Sequence, residues 1–225
     1  RYQELIDYHI SQEMQQTYRE VVTVGGDMED VDPARFPVLN MLNTRYFIFP
    51  TGDNETIPLQ NPYALGNAWF VQEVNYVDNA NEEIEALNEI NPATTAIVDE
   101  KFNSTLQGAT HLNADASATI TLQSYEPNHL RYTTDNGQDG VAVFSEIYYP
   151  DGWQATIDGQ PAEIGRANYV LRTLYVPAGK HEIEMTFDPQ SLHYTESAAY
   201  AGYALLILAL MALVWKQRKA SFPAK

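Results

Sequence analysis

The segment Ala198–Trp215, AAYAGYALLILALMALVW, is an 18-residue run without a charge. It constrains the chain more than any other feature. A helix needs about 20 apolar residues, and at least about 17, to cross the hydrocarbon core of a bilayer. Tyr200, Tyr203 and Trp215 stand near the ends of the run, where amphipathic rings favour the headgroup region. Lys216-Gln217-Arg218-Lys219 follows at once, and cationic flanks stay on the cytoplasmic side. The pattern predicts a transmembrane helix over 198–215, a cytoplasmic basic tail over 216–225, and a cell-membrane protein whose main domain is extracytoplasmic. A buried helix of a soluble protein is the competing reading. The aromatic ends and the basic stop weigh against it. Gly202 and the alanines of the run offer a seat for a neighbouring helix.

The charges are unevenly spread. The net charge is −17, yet residues 216–225 hold four of the 13 basic residues and no acid, which leaves 9 basic against 30 acidic residues before them. A surface this negative repels phosphate backbones and argues against nucleic-acid partners. It serves solubility or a high-salt habitat, or else it meets a cation-rich or cationic-glycan partner. The absence of Cys excludes disulfides, zinc-thiolate sites and thiol catalysis. The chain opens on Arg1 within a helical pattern and not on Met. A fragment or processed product is therefore expected, with upstream spans delivering the outer domain.

Along the chain, Tyr2, Ile6, Ile10, Met14 and Tyr18 fall four apart, with Leu5 beside them, which predicts a helix over 2–20. Gly25-Gly26-Asp27 ends it. Pro37–Asn43 reads as a short helix with Pro in its first turn, leading into a strand Arg45–Phe49. Residues 51–62 read as a polar loop, Trp69–Val77 as one strand, Asn81–Ile90 as a helix with Ile84 and Leu87 on its apolar face, and Ala96–Val98 as a strand. From about residue 116 the texture becomes alternating: Ala118–Leu122, Leu130–Thr133, Val141–Phe144, Trp153–Ile157, Tyr169–Val176 and His181–Phe187, separated by turn signals. Short strands at this spacing predict a sandwich, and Asp158-Gly159 is the strongest hairpin signal. The fold class expected is α+β, mostly β: a mixed α/β portion over 1–110, an antiparallel β-sandwich over 116–190, then the membrane helix. The boundary is set at 108–116 by Gly108 and the polar run His111–Asp115.

Catalytic motifs are absent: no G-x-S-x-G, no P-loop, no H-E-x-x-H. His9, His111, His129, His181 and His193 lack metal-ligand spacing and read as surface or edge-strand residues. No metal and no cofactor is expected. Glu146, Asp151 and Asp158 are three of 30 acids, and an acid/base pair among them is not the favoured reading. Asn54-Glu55-Thr56 and Asn103-Ser104-Thr105 fit the N-glycosylation pattern, relevant only in a host with that machinery. The densest signal is Tyr148-Tyr149-Pro150-Asp151-Gly152-Trp153. Tyr148, Tyr149 and Trp153 are the candidate glycan contacts, since exposed rings stack on sugar faces. Ordinary packing competes, with Trp153 inside the sandwich and neighbouring Tyr residues pointing to opposite faces.

Four stretches occur in order: Leu39–Tyr46 (LNMLNTRY), Asn61–Val71 (NPYALGNAWFV), Ser145–Trp153 (SEIYYPDGW) and Val176–Ile183 (VPAGKHEI). Together they resemble the C-terminal region of bacterial YfhO-like polytopic membrane proteins, a likeness that extends over nearly the whole chain. The resemblance implies many spans upstream of Arg1 and a protein similar to C-type glycosyltransferases. Those enzymes pass a sugar from a polyprenyl-phosphate donor to an acceptor outside the cytoplasm, here linked to cell-surface polymers. In such proteins the catalytic carboxylate lies in the first outer loop, so no catalytic residue is carried over to this sequence. The implied partners are the membrane and a cell-surface glycan or polyprenyl-phosphate sugar. Two roles stay open: an accessory acceptor-binding or structural domain of a lipid-linked-sugar transferase, or a non-enzymatic envelope binding or scaffold module.

Overall fold

The computed structural model describes residues 1–50, 55–113, 115 and 117–221. The first part of the expected polar loop, with the glycosylation pattern's Asn54, lies outside them. The chain opens on one continuous helix: α1 (Tyr2–Leu5), a π-type turn (Ile6–Ile10) and α2 (Ser11–Thr23). α3 (Pro37–Met41) follows, with Pro in its first turn. Next come the hairpin β1 (Tyr46–Pro50) and β2 (Thr56–Gln60), then β3 (Ala68–Val71), β4 (Glu73–Val77), α4 (Ala80–Ala86) and β5 (Thr95–Asp99). The second half is β6 (Thr119–Glu126), β7 (His129–Asn136), β8 (Gly140–Ile147), β9 (Trp153–Ile157), β10 (Gln160–Ala162), β11 (Gly165–Ala167), β12 (Leu171–Val176) and β13 (Gly179–Phe187). α5 (Gln190–Ser221) ends the described chain. The fold is mostly β, as expected.

Two sheets form the body. One is antiparallel, in the order β10-β9-β13-β7-β6; the other runs β3-β8-β12-β11-β5-β4. Leu130, Tyr132, Ile183 and Met185 of the first meet Ala142, Phe144, Leu174 and Val176 of the second in the sandwich core. The far face of the second sheet holds another core, where Val71, Val98, Val141, Val143 and Leu171 pack against Leu5, Val38, Ile84 and Leu87 from the helices. β8 is therefore buried on both faces, and Val141–Phe144 is a continuous apolar run and not a half-exposed alternation. The Asp158-Gly159 hairpin is present: both residues take positive φ, 51° and 75°, with Ile157 opposite Gln160, the geometry of a two-residue primed turn.

The structure revises several sequence expectations. Trp69–Val77 is two strands, β3 and β4, which form opposite edges of the same sheet. One extended run bent at Gln72 supplies both edges, so the sheet curls back on itself. Strands from both sides of 108–116 thus share one sheet. β4, α4 and β5 make a parallel crossover unit, with Asn79 capping α4 through the amides of Asn81 and Glu82. The expected loop at 51–62 contains β2, paired with β1. Pro58 hid the strand, and a two-stranded ribbon tolerates it at an open edge. β12 starts at Leu171 and not Tyr169, because Asn168 and Tyr169 turn with φ of 49° and 72°.

The N-terminal helix buries a different stripe from the one its apolar residues suggested. Leu5, His9, Glu13, Thr17 and Val21, also four apart, are buried, whereas Tyr2 and Tyr18 are exposed. His9 is thus no surface residue. Its ring nitrogen Nε2 lies 2.8 Å from the Ile84 carbonyl, and burial lowers its pKa. Glu13 accepts from the amides of Val38 and Leu39 at 3.1 and 2.9 Å, capping α3 from another helix. Burial raises its carboxyl to about 7.

Candidate functional site

Tyr148, Tyr149 and Trp153 are brought together. They line one cleft of about 420 Å³ with Pro150, Gln154, Thr105 and Glu163 among its walls. β8 ends at Ile147, and the next two rings diverge. Tyr148 turns towards the helix-side core, edge-on to Phe102 at 5.6 Å, with the Arg166 guanidinium 5.9 Å from its ring centre. Tyr149 is 51% exposed and approaches Phe187 at 6.3 Å. Trp153 is half-buried at the rim of the sandwich core. Phe187 tilts against it at 5.4 Å, and the Arg172 guanidinium sits 3.8 Å from its ring centre. Arg172 is buried, donates through Nε to the Ile147 carbonyl at 3.1 Å, and burial lowers its pKa.

The turn between Tyr149 and Trp153 is clamped to the root of α5. Asp188 N–H donates to the Gly152 carbonyl at 2.8 Å. Gly152 has φ of 122°, and a Cβ there would lie 2.8 Å from Phe187 and Pro189. A side chain at this position is excluded both by conformation and by space. The aromatic cleft therefore opens where the last strand passes into the helix. Within that helix Gln190–Gln217 is long and apolar enough to cross a membrane, and its apolar side chains are exposed, as lipid-facing residues are. The cleft's chemistry is rings plus hydrogen-bonding groups: Glu163 accepts from the Thr105 hydroxyl at 3.2 Å, and Gln154 is exposed. Such a surface suits a hydroxylated ligand. The other carboxylates considered do not join it. Glu146 is half-buried with its pKa raised by burial, and Asp158 bonds His181 at 2.6 Å.

Behind the cleft lies a buried ionic network that sequence reasoning missed. Glu83 on α4 is 0% exposed. It takes Arg166 at 3.0 Å and Arg1 at 2.7 Å, and its other oxygen accepts the Tyr169 amide at 3.0 Å. Arg166 also reaches Asp99 at 3.2 Å. The left-handed Tyr169 backbone is what aims its amide at Glu83. Spacing on α4 gave no hint, because Glu82, Glu83 and Glu85 read alike as solvated acids.

Residues 88–196 match the model of a family described as bacterial membrane protein YfhO. Over this stretch, just under half of its length, the chain is YfhO-like. The matched stretch runs from the end of the α4 region through the whole second half and into the first turns of α5, so it contains every wall of the aromatic cleft. Of the four stretches singled out above, SEIYYPDGW and VPAGKHEI fall within it. No curated protein and no solved structure matches this YfhO-like chain.

Trp153→Ala in the YfhO-like chain should cost roughly 2 kcal/mol, below the full value for a core Trp because the ring is half-buried. Tyr149→Ala should cost under about 0.5 kcal/mol. Denaturant titration of both variants checks this, and equal losses would mean that the two rings share one environment.

Proposed function

We propose that the chain is the extracytoplasmic, membrane-anchored domain of a YfhO-like protein, and that its aromatic cleft contacts a cell-surface glycan. In this reading the complete protein transfers sugar from a polyprenyl-phosphate carrier, its catalytic carboxylate belongs to the outer loops of other spans, and this domain holds the acceptor or shapes the cavity. One observation carries the proposal: Tyr149 and Trp153 line a cleft clamped to the root of a helix long and apolar enough to cross a membrane. Ring faces attract the C–H faces of pyranoses, and the neighbouring Gln154 and Glu163 meet hydroxyls. Binding is expected to be weak, because two accessible rings bury little area. The scaffold reading draws on a different observation: Tyr148 and Trp153 already have protein partners in Phe102 and Arg172.

The test is a titration of the full chain in nanodiscs with cell-wall oligosaccharides, following Trp fluorescence and Tyr ring signals by NMR. Glycan contact predicts that Tyr149 signals move at millimolar sugar, that Trp153→Phe removes the fluorescence response, and that Tyr149→Ala weakens it. Aromatic signals that stay still leave the scaffold role. Orientation is tested independently. The chain has no Cys, so a single Ser104→Cys substitution can be labelled in intact cells with a membrane-impermeant thiol reagent. Labelling is expected, together with activity of a cytoplasm-only reporter fused after Lys225. A thiol at this position that stays unlabelled until the cells are opened overturns the outside placement.

A further inference from the structure

The sandwich has a second concavity, at the end away from α5. β13 begins at Gly179, opposite Asn136, and ends at Phe187, just before the helix. That is a span of about 30 Å at the usual rise per residue. At the Gly179 end a cavity of about 140 Å³ opens between the turn that joins β7 to β8 and the segment that leads into β6. Asn113, Asp115, Asn136, Gln138 and Asp139 line it, and among the described residues no lysine, arginine or histidine stands in its walls.

Asn136 is the group without an ordinary explanation. It is 3% exposed. Both hydrogens of its Nδ2 are engaged, by the Gln138 carbonyl at 2.8 Å and the Pro177 carbonyl at 2.7 Å. Two acceptors at one end fix the orientation of the amide. The other end is Oδ1, and this buried oxygen accepts from no donor among the described residues. A buried acceptor is costly unless something meets it.

The charge beside it is uncompensated. Asp115 accepts from the Ser117 hydroxyl at 2.6 Å and, through its other oxygen, from the Gly137 amide at 2.7 Å. Asp139 accepts from the Tyr175 hydroxyl at 2.7 Å and the Ala178 amide at 2.8 Å. These donors are neutral, and they hold both carboxyls below the usual range, Ser117 and Tyr175 most strongly. Each carboxylate thus keeps its full charge and spare lone pairs. Lys180, across from Asp135 in the register, pairs with that residue at 3.1 Å. Gly137 lets Asp115 seat against the turn, since a Cβ there would lie 3.1 Å from its Oδ2. No group of three or more His, Cys, Asp or Glu suited to a metal occurs among the described residues. Transition-metal ligation is therefore not what this set offers. Two carboxylates with amide carbonyls are the donor set of a hard divalent cation.

We propose that this cavity is a calcium site. Asp115 and Asp139 supply the charge, Asn136 Oδ1 supplies a buried carbonyl ligand, and Asn113, Gln138 and water complete the shell of about six to eight oxygens that calcium takes. The ion would tie the segment before β6 to the β7–β8 turn, and the net charge of −17 draws cations to it. Nothing in the site belongs to the aromatic cleft, so it stands whether or not that cleft binds glycan.

The experiment is calorimetric titration of the full chain, stripped with chelator and held in nanodiscs of neutral phosphatidylcholine, with calcium chloride and with magnesium chloride. Calcium should bind with a dissociation constant of roughly 10⁻⁴–10⁻³ M, the range of extracellular modules. Magnesium, which demands a near-ideal octahedron, should bind at least about tenfold more weakly. Asp115→Asn and Asp139→Asn should each weaken calcium by about tenfold or more. Glu89→Gln, at an exposed position outside the cavity, should leave it unchanged. A second measurement does not depend on how the variants fold: in the unaltered chain calcium should shift the NMR signals of the Asn136 side-chain amide and the Gly137 backbone amide. No calcium binding at about 10 mM, tenfold above that range, overturns the proposal. Still signals at both amides, or magnesium binding as tightly as calcium, overturn it too. An equal loss in Glu89→Gln would mean a diffuse counter-ion cloud on an acidic surface and no site, as would unaltered affinity in both Asn variants.

Discussion

Glu83→Ala is expected to destabilise the chain by roughly 3–5 kcal/mol, the range for removing one partner from a buried ion pair. The Glu83 carboxylate is fully buried and holds three donors: Arg166, Arg1 and the Tyr169 amide. Its loss strands the Arg166 guanidinium, whose side chain is 7% exposed, against Asp99 alone. Asp99 is already shared with Lys101 at 3.1 Å. The same loss frees the Tyr169 backbone, whose φ of 72° is costly for a bulky residue and persists only where its surroundings hold it. The measurement is guanidinium unfolding of the full chain followed by circular dichroism. A second variant separates stranded charge from lost packing. Glu83→Ala combined with Arg166→Met should recover much of the deficit, because it removes the uncompensated cation. A single-mutant loss below about 1 kcal/mol would show that the network is solvated in solution.

The second large effect is a dependence on pH carried by Glu13. Its folded-state carboxyl titrates at about 7 against an ordinary value of 4.5, because burial outweighs the two amides that favour its ionised form. The folded chain therefore binds more protons than the unfolded chain between these values. Stability from this group is fully present below about pH 4.5 and is lost as pH rises through about 7. The shift corresponds to roughly 3 kcal/mol across that window. His9, with its pKa lowered, works in the opposite sense and loses stability as pH falls. The contribution of Glu13 is therefore read as a difference. Wild type minus Glu13→Gln should slope downward from pH 4.5 to 7.5 and flatten above. The variant itself gives up one of the two amide contacts to α3, a constant offset of about 1 kcal/mol. A difference that does not change with pH would mean that Glu13 is ionised throughout.

Both effects come from polar residues that no local pattern marks. On the N-terminal helix the apolar residues at 6, 10 and 14 predicted the buried face, and the helix is rotated so that His9, Glu13 and Thr17 lie inward. The rotation is decided by what faces the helix: an unsatisfied α3 N-terminus at Val38 and Leu39, and the Ile84 carbonyl. Hydrophobic periodicity carries no information about an orphan amide 25 residues away.

What the sequence determined by itself is what rests on neighbours in the chain. An uncharged run of 18 residues makes a helix exposed along its length. Asp158-Gly159 makes a primed turn, because Gly and Asp adopt positive φ cheaply. Alternating β-branched and aromatic residues make strands. The YYPDGW stretch likewise announced an aromatic turn. The tertiary structure alone decided how these pieces pair. It bent residues 68–77 into both edges of one sheet, buried Val141–Phe144 on two faces, and closed the Glu83 network across sequence separations of 67 to 86 residues. It also divided the candidate rings, leaving Tyr149 in the open and tying Trp153 to Arg172 and Phe187. The physical reason is range. Torsional preference and side-chain period act over a few residues, whereas strand order, burial on a second face and the pairing of buried charges depend on which distant segments the chain brings into contact.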